Sequence, residues 1–293
     1  MRPQDYIYKK KKQIIDVFCT LYGEKYRDYF SRTFDELVFL YPHINQEDYD
    51  YIWKLFYRNE MNYNALPQTL ILEMLEASIG SFRSILMNDG GDLKIRKLII
   101  CGLDRIDHPN MDIVLLHELK HALTYHYKLY VHDQELLSLS EKCGVNIVHK
   151  NYFYGKQNVK WNRFSPVNEV LTQKDARLCE LELMQLGGIF PKCKVVRNDR
   201  KPWSDRYIPL FQEVTNEGFQ MLRDAEMKEK MGIYTDPVNE VFLTKLFQVM
   251  KEYKESMEKG DKVMERQLCT RFATVVKEAA KKQKTRIKRL ETS

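Results

Sequence analysis

The sequence predicts an α+β protein, mainly helical, holding a small mixed sheet. Three observations carry that reading. Apolar and aromatic residues recur at helical spacing over much of the chain, a β-branched run follows the turn at Gly90-Gly91, and the segment 146–164 has the pattern of a hairpin. The 293 residues suffice for one large domain or two small ones, and 44% hydrophobic against 30% charged residues excludes a disordered or fibrous chain.

In chain order, Ile14, Val17, Phe18 and Leu21, then Phe34, Leu37 and Leu40, predict two or three helices packed through aromatic stripes over 5–60. Asn64-Ala65-Leu66-Pro67 interrupts them, and Pro67 is placed to open a helix reaching about Leu86. Asn88 to Gly91 is a turn, and the segment 92–102 is a strand. A strongly apolar helix follows over 111–130, and 133–142 continues as helix. The hairpin turns near Gly155-Lys156, and Ser165-Pro166 then starts a helix that stops at Gly187-Gly188. Past Pro202 the chain reads as helical, with a last helix over about 261–290. The expected units are an N-terminal helical region (1–64), a core (65–190) and a helical C-terminal subdomain (191–293).

Charge and cysteine usage exclude several classes. Of the net charge of +6, the segment 277–293 carries seven Lys or Arg against Glu278 and Glu291, so the rest of the chain is nearly neutral. A basic face across the whole domain is missing, and no nucleic-acid partner is expected; the tail reads as a solvated helix end. Cys19, Cys101, Cys143, Cys179, Cys193 and Cys269 include no C-x-x-C pair, which points to reduced, mostly buried thiols. With no apolar run near the roughly 20 residues that span a bilayer and no secretory signal in the first residues, the expected location is the cytoplasm.

The chemistry concentrates in His117-Glu118-Leu119-Lys120-His121. Two His four residues apart share one face of a helix and can reach one ion, while Glu118 is placed to take a proton from the attacking water. Ile113, Val114, Leu115, Leu116, Leu119, Ala122 and Leu123 would bury this helix, and buried His and Glu require partners. A third ligand is needed, and Glu169 in Asn168-Glu169-Val170-Leu171-Thr172, 48 residues past His121, is the candidate. Glu217 in Asn216-Glu217-Gly218 is the weaker alternative.

In these two motifs, HELKHAL (117–123) and NEVLT (168–172), the chain resembles the gluzincins and the small bacterial zincin-type metallopeptidases. The resemblance spans about 67–187 and leaves out both flanking regions. It implies a zincin-like core with two ligand-bearing helices, a Zn2+ ion on His117, His121 and Glu169, Glu118 as general base, and peptide or protein substrates. It implies too that Asn168 and Thr172 support the ligands, and that strand 94–101 is a sheet edge to which an extended substrate adds. Where related enzymes carry an acid four residues after the ligand Glu, this chain has Gln173, with Asp175 two residues further on. Gln can accept a hydrogen bond from an imidazole but brings no charge. An oxyanion donor would have to be Tyr207 or Tyr234, with Tyr207 preferred because it opens a helix soon after the Glu169 helix. Two rival readings stand beside the peptidase: a degenerate zincin acting as a metal-binding or regulatory interaction module without hydrolysis, and an all-helical adaptor or nucleic-acid binder using the basic tail.

Overall fold

A β-branched run becomes a strand only when neighbours take up its amides and carbonyls, and the run through Ile99 has one on each side. A computed structural model describes residues 3–40, 80–89, 92–101, 110–131, 136–153, 156–190, 203–227 and 237–291. Its first sheet sets β3 (Asp92–Cys101) between β1 (Leu37–Leu40), which runs parallel to it, and β2 (Gly80–Asp89), which runs antiparallel. Three expectations change as a result. Leu37 and Leu40 lie on a strand rather than a helical stripe, and 80–86 is strand rather than the end of a helix from Pro67, whose start lies outside the described residues. Strand 94–101 is central, so among the described residues the sheet's edges are β1 and β2. In each case pairing with β3 overrides the local apolar spacing.

The second sheet is a four-stranded antiparallel meander of β4 (Tyr125–Val131), β5 (Leu136–Cys143), β6 (Asn146–Phe153) and β7 (Lys156–Arg163). The hairpin expected over 146–164 is β6 and β7, with a bulge between His149 and Lys150. The segments 125–130 and 133–142, expected as helix, differ. The helix carrying His117 and His121 stops at Leu123, where Thr124 turns its hydroxyl onto the Lys120 carbonyl at 2.8 Å, and its Tyr-rich continuation pairs with β5. Leu86, Leu137 and Leu139 fill a small core between the two sheets, and the buried Glu141 crosses it, accepting from Ser84 of β2 and from Tyr125 at 2.6 Å.

The helices are α1 (Pro3–Lys9), α2 (Lys11–Tyr22), α3 (Arg27–Asp35), α4 (Met111–Leu123), α5 (Ser165–Gln185), α6 (Asn216–Met227), α7 (Pro237–Lys259) and α8 (Lys262–Glu291), with 3-10 turns at Glu24–Tyr26 and Trp203–Phe211. The α5 and α8 bounds agree with the sequence reading. Among the described residues no helix is long and apolar enough to cross a membrane. One core joins Phe18, Phe30 and Phe34 of α2 and α3 to Leu115, Leu116 and Leu119 of α4 and to Ala176, Cys179 and Leu183 of α5. A second joins Val167, Val170 and Leu171, from the start of α5, to Leu246 and Met250 of α7 and Phe272 of α8. The basic tail extends α8, and Lys284 there pairs with Glu217 at the start of α6.

Buried His126 on β4 stacks on Tyr29 of α3, with ring centroids 5.5 Å apart. Burial, then the charges of Lys142 and Lys97, lower its pKa to about 4. The unfolded chain takes up this proton below about 6.5, whereas the folded chain resists it down to about 4. Stability is therefore expected to fall, through this residue, by about 2 kcal/mol between pH 7 and 4.5. His126→Phe keeps the stack and should flatten that part of the pH dependence in urea melts; an unchanged slope would exclude His126 as its source.

Candidate metal centre

The i, i+4 spacing on α4 puts His117 and His121 side by side, with ring centroids 4.8 Å apart. Glu169 comes from the first turn of α5, the helix packed across α4. That helix enters through Phe164, whose φ of 67° is in the left-handed region, an unfavourable conformation for a bulky side chain that turns the chain sharply out of β7. Three contacts close a triangle. His117 Nε2 lies 3.1 Å from His121 Nε2 and 3.2 Å from Glu169 Oε2, and His121 Nε2 lies 3.3 Å from Glu169 Oε1. Among the described residues these three form a metal-capable group.

The triangle fits the donor geometry of zinc. Metal–ligand bonds of about 2.0–2.1 Å in a tetrahedron put neighbouring donors roughly 3.3 Å apart, close to the three separations found. Two imidazole nitrogens and one carboxylate oxygen are a donor set that takes divalent transition ions, zinc among them. Glu169 keeps 30% of its side chain exposed, so the group is open on one side.

The outward nitrogens are also held. Gln173, one turn after Glu169, puts its Oε1 2.8 Å from His117 Nδ1, which favours the tautomer with its lone pair on the inward Nε2. His121 Nδ1 faces Cys143 Sγ at 3.3 Å and Asn168 Nδ2 at 3.4 Å. Asn168 also accepts from the Val145 amide at 3.0 Å, over Gly144, whose φ is +58° and where an added Cβ would lie 2.0 Å from Asn168 Oδ1. Only glycine fits that turn. Thr172 is buried on the same helix. Burial alone would raise the Glu169 carboxyl, but hydrogen bonds from His117 and His121 hold it well below the usual carboxylate range. Burial opposes a charge on His121, yet Cys143 and Glu169 together raise its pKa well above the ordinary value.

Glu118 accepts the backbone amide of Phe82, on edge strand β2, through Oε2 at 2.6 Å. Gly80 permits this approach, because a Cβ there would meet Val114 Cγ1 at 2.4 Å and Glu118 Cγ at 3.2 Å. The sheet edge beside Glu118 is thus β2 and not 94–101.

Several other expectations resolve differently. Asp175 does not orient an imidazole: it receives Lys120 Nζ at 2.8 Å and Arg223 Nη2 at 2.7 Å. Lys120 reaches Glu226 at 3.1 Å, and Glu226 accepts Tyr22 Oη at 2.7 Å. Burial would raise the Asp175 carboxyl, but Lys120 and Arg223 hold it below the carboxylate range. This buried network ties α4, α5, α6 and α2 together, and the sequence does not signal it because Lys120 stands in a variable position of the motif. Cys143 was missed as well, having been grouped with buried apolar thiols; Cys19, Cys179 and Cys269 are such thiols, whereas Cys143 is half-buried. Glu217 faces Lys284, away from the triangle. Tyr207 packs with the second core, its ring 5.9 Å from Tyr253, contacts that lend its expected oxyanion role no support. Tyr234 lies outside the described residues. Comparisons with protein-family models, with curated proteins and with solved structures gave no match for this chain.

Proposed function

We propose that this chain is a zinc-dependent peptidase acting on peptide or protein substrates. The single observation supporting the reading most is the donor triangle, with separations of 3.1, 3.2 and 3.3 Å between His117, His121 and Glu169. These three side chains would hold the ion, with Gln173 Oε1 and Cys143 Sγ placed to accept from the outward Nδ1 of His117 and His121. A zinc ion held there supplies a positive charge that polarises a carbonyl and makes bound water more acidic.

The chain's own part in the reaction centres on Glu118. Its Oε2 is occupied by the Phe82 amide, which fixes the carboxylate plane and leaves Oε1 for proton transfer. Oε1 takes a proton from the attacking water as the water oxygen bonds to the scissile carbonyl carbon. The same carboxylate then returns the proton to the amine nitrogen as the C–N bond breaks. An extended substrate would lie along the β2 edge, beside this carboxylate. The cytoplasm is the compartment proposed with it, in keeping with free thiols at Cys19, Cys143, Cys179 and Cys269.

Metal content and cleavage test the reading together. The purified chain should carry zinc in equimolar amount, lose cleavage of an unstructured protein such as casein on chelation, and regain it when zinc is returned. His117→Ala and Glu169→Ala should each abolish retention of the metal through gel filtration. Zinc bound without cleavage of any peptide would favour a metal-binding module over an enzyme, and a chain without affinity for zinc would remove both.

A further inference from the structure

Away from the triangle, α7 presents one helical face to the 3-10 turn Trp203–Phe211 and to the start of α5, and a cavity of about 620 Å³ opens between them. Its walls are apolar: Tyr207, Phe247, Met250 and Met257, with Pro166 from the start of α5. Phe247, which lines the cavity from α7, leaves 42% of its surface open. The polar residues at the rim are mostly of one sign. Arg206, Lys251 and Lys254 stand there against Glu258, which lies 3.7 Å from Lys254 and offsets one of the three cations. The size falls within the range of small-ligand sites, and such sites combine an apolar body with a few polar groups that fix orientation.

We propose that this cavity binds a molecule with an apolar chain ending in a carboxylate, its chain against Phe247, Met250 and Met257 and its head between Arg206 and Lys251. An uncharged apolar ligand would leave the rim cations unused, and a compact polar anion would leave the apolar walls wet. Either a free alkyl acid or the C-terminal residue of a peptide carries the shared chemistry. None of the triangle's side chains lines the cavity, although Pro166 precedes Glu169 by three residues on α5, and the proposal does not depend on the peptidase reading.

Calorimetric titration of the full chain, in the presence of a chelator so that no carboxylate can ligate an ion, tests it with decanoate against decanol. Decanoate should saturate at one site and bind about tenfold more tightly, the preference shrinking at high salt as expected of exposed cations. In Arg206→Glu/Lys251→Glu the preference should vanish, and in Phe247→Ser both ligands should weaken by a similar factor while decanoate keeps its advantage. All three positions are on the protein surface, and circular dichroism of each variant verifies its fold. A second arm compares a short peptide ending in Leu with its C-terminal amide; preference for the free carboxylate there names the peptide terminus as the source, and preference confined to decanoate names the alkyl acid. Equal affinity for decanoate and decanol, no saturable binding of either carboxylate, or a preference that survives in the double charge reversal would overturn the proposal.

Discussion

Glu118→Gln is expected to lower kcat/KM for peptide cleavage by about 10²–10⁴-fold, the usual contribution of a positioned general base, while zinc content stays at the wild-type level. The asymmetry follows from where Glu118 sits. It takes no part in the donor triangle, and its Oε2 is engaged with the Phe82 amide. Gln at 118 still presents an oxygen to that amide, so β2 and α4 should keep their spacing; only proton acceptance is lost. Metal analysis and single-turnover cleavage, run on the same preparation, decide it. Activity near the wild-type level would remove Glu118 from the mechanism, and loss of metal would mean that its role is to build the site.

Lys120→Met is expected to cost about 3–5 kcal/mol of folding stability, the penalty for stranding buried charges after one partner is removed. Lys120 and Asp175 have no side-chain exposure, and the network around them balances two cations, Lys120 and Arg223, against two carboxylates, Asp175 and Glu226. Removing Lys120 leaves Glu226 with Tyr22 as its hydrogen-bond donor and leaves the cluster with excess negative charge inside the core. A drop in Tm of roughly 2–4 °C per kcal/mol makes the effect easy to read in thermal melts. Replacing Lys120 and Asp175 together restores the charge balance, Arg223 against Glu226, but takes away the carboxylate to which Arg223 donates, so only part of the loss should be recovered. A loss below about 1 kcal/mol would mean that water reaches the cluster and solvates the remaining charges.

Legibility in the sequence followed how local each signal was. The i, i+4 pair on α4 and the start of α5 at Ser165-Pro166 were readable, since helical spacing and a Pro in the first turn act within a few residues. The β6–β7 hairpin was readable for the same reason. Gly80–Asp89 and Leu136–Cys143 were not, because their strand form depends on partners in β3, β4 and β6. At the site, Gln173 lies beside the His117 imidazole, one turn past Glu169 on a single helix, a proximity that helical spacing makes readable. The Phe82 amide on Glu118 had no signal at all, since any residue offers a backbone N–H. Cys143 reaches His121 through the β5–β6 turn at Gly144, a tertiary contact that no spacing along the chain encodes.

The first turns of α5 insert Val167, Val170 and Leu171 into one apolar cluster, and its later turns insert Ala176, Cys179 and Leu183 into the other. A single rod shared in this way makes the two halves cooperative: neither can melt without loosening the helix on which its neighbour depends. Occupancy at Glu169 should therefore act on the entire molecule. Calorimetry is expected to show a single endotherm that moves upward as a whole with zinc, by an amount that grows with free metal concentration, and two separable peaks would mean that α5 can break at its midpoint.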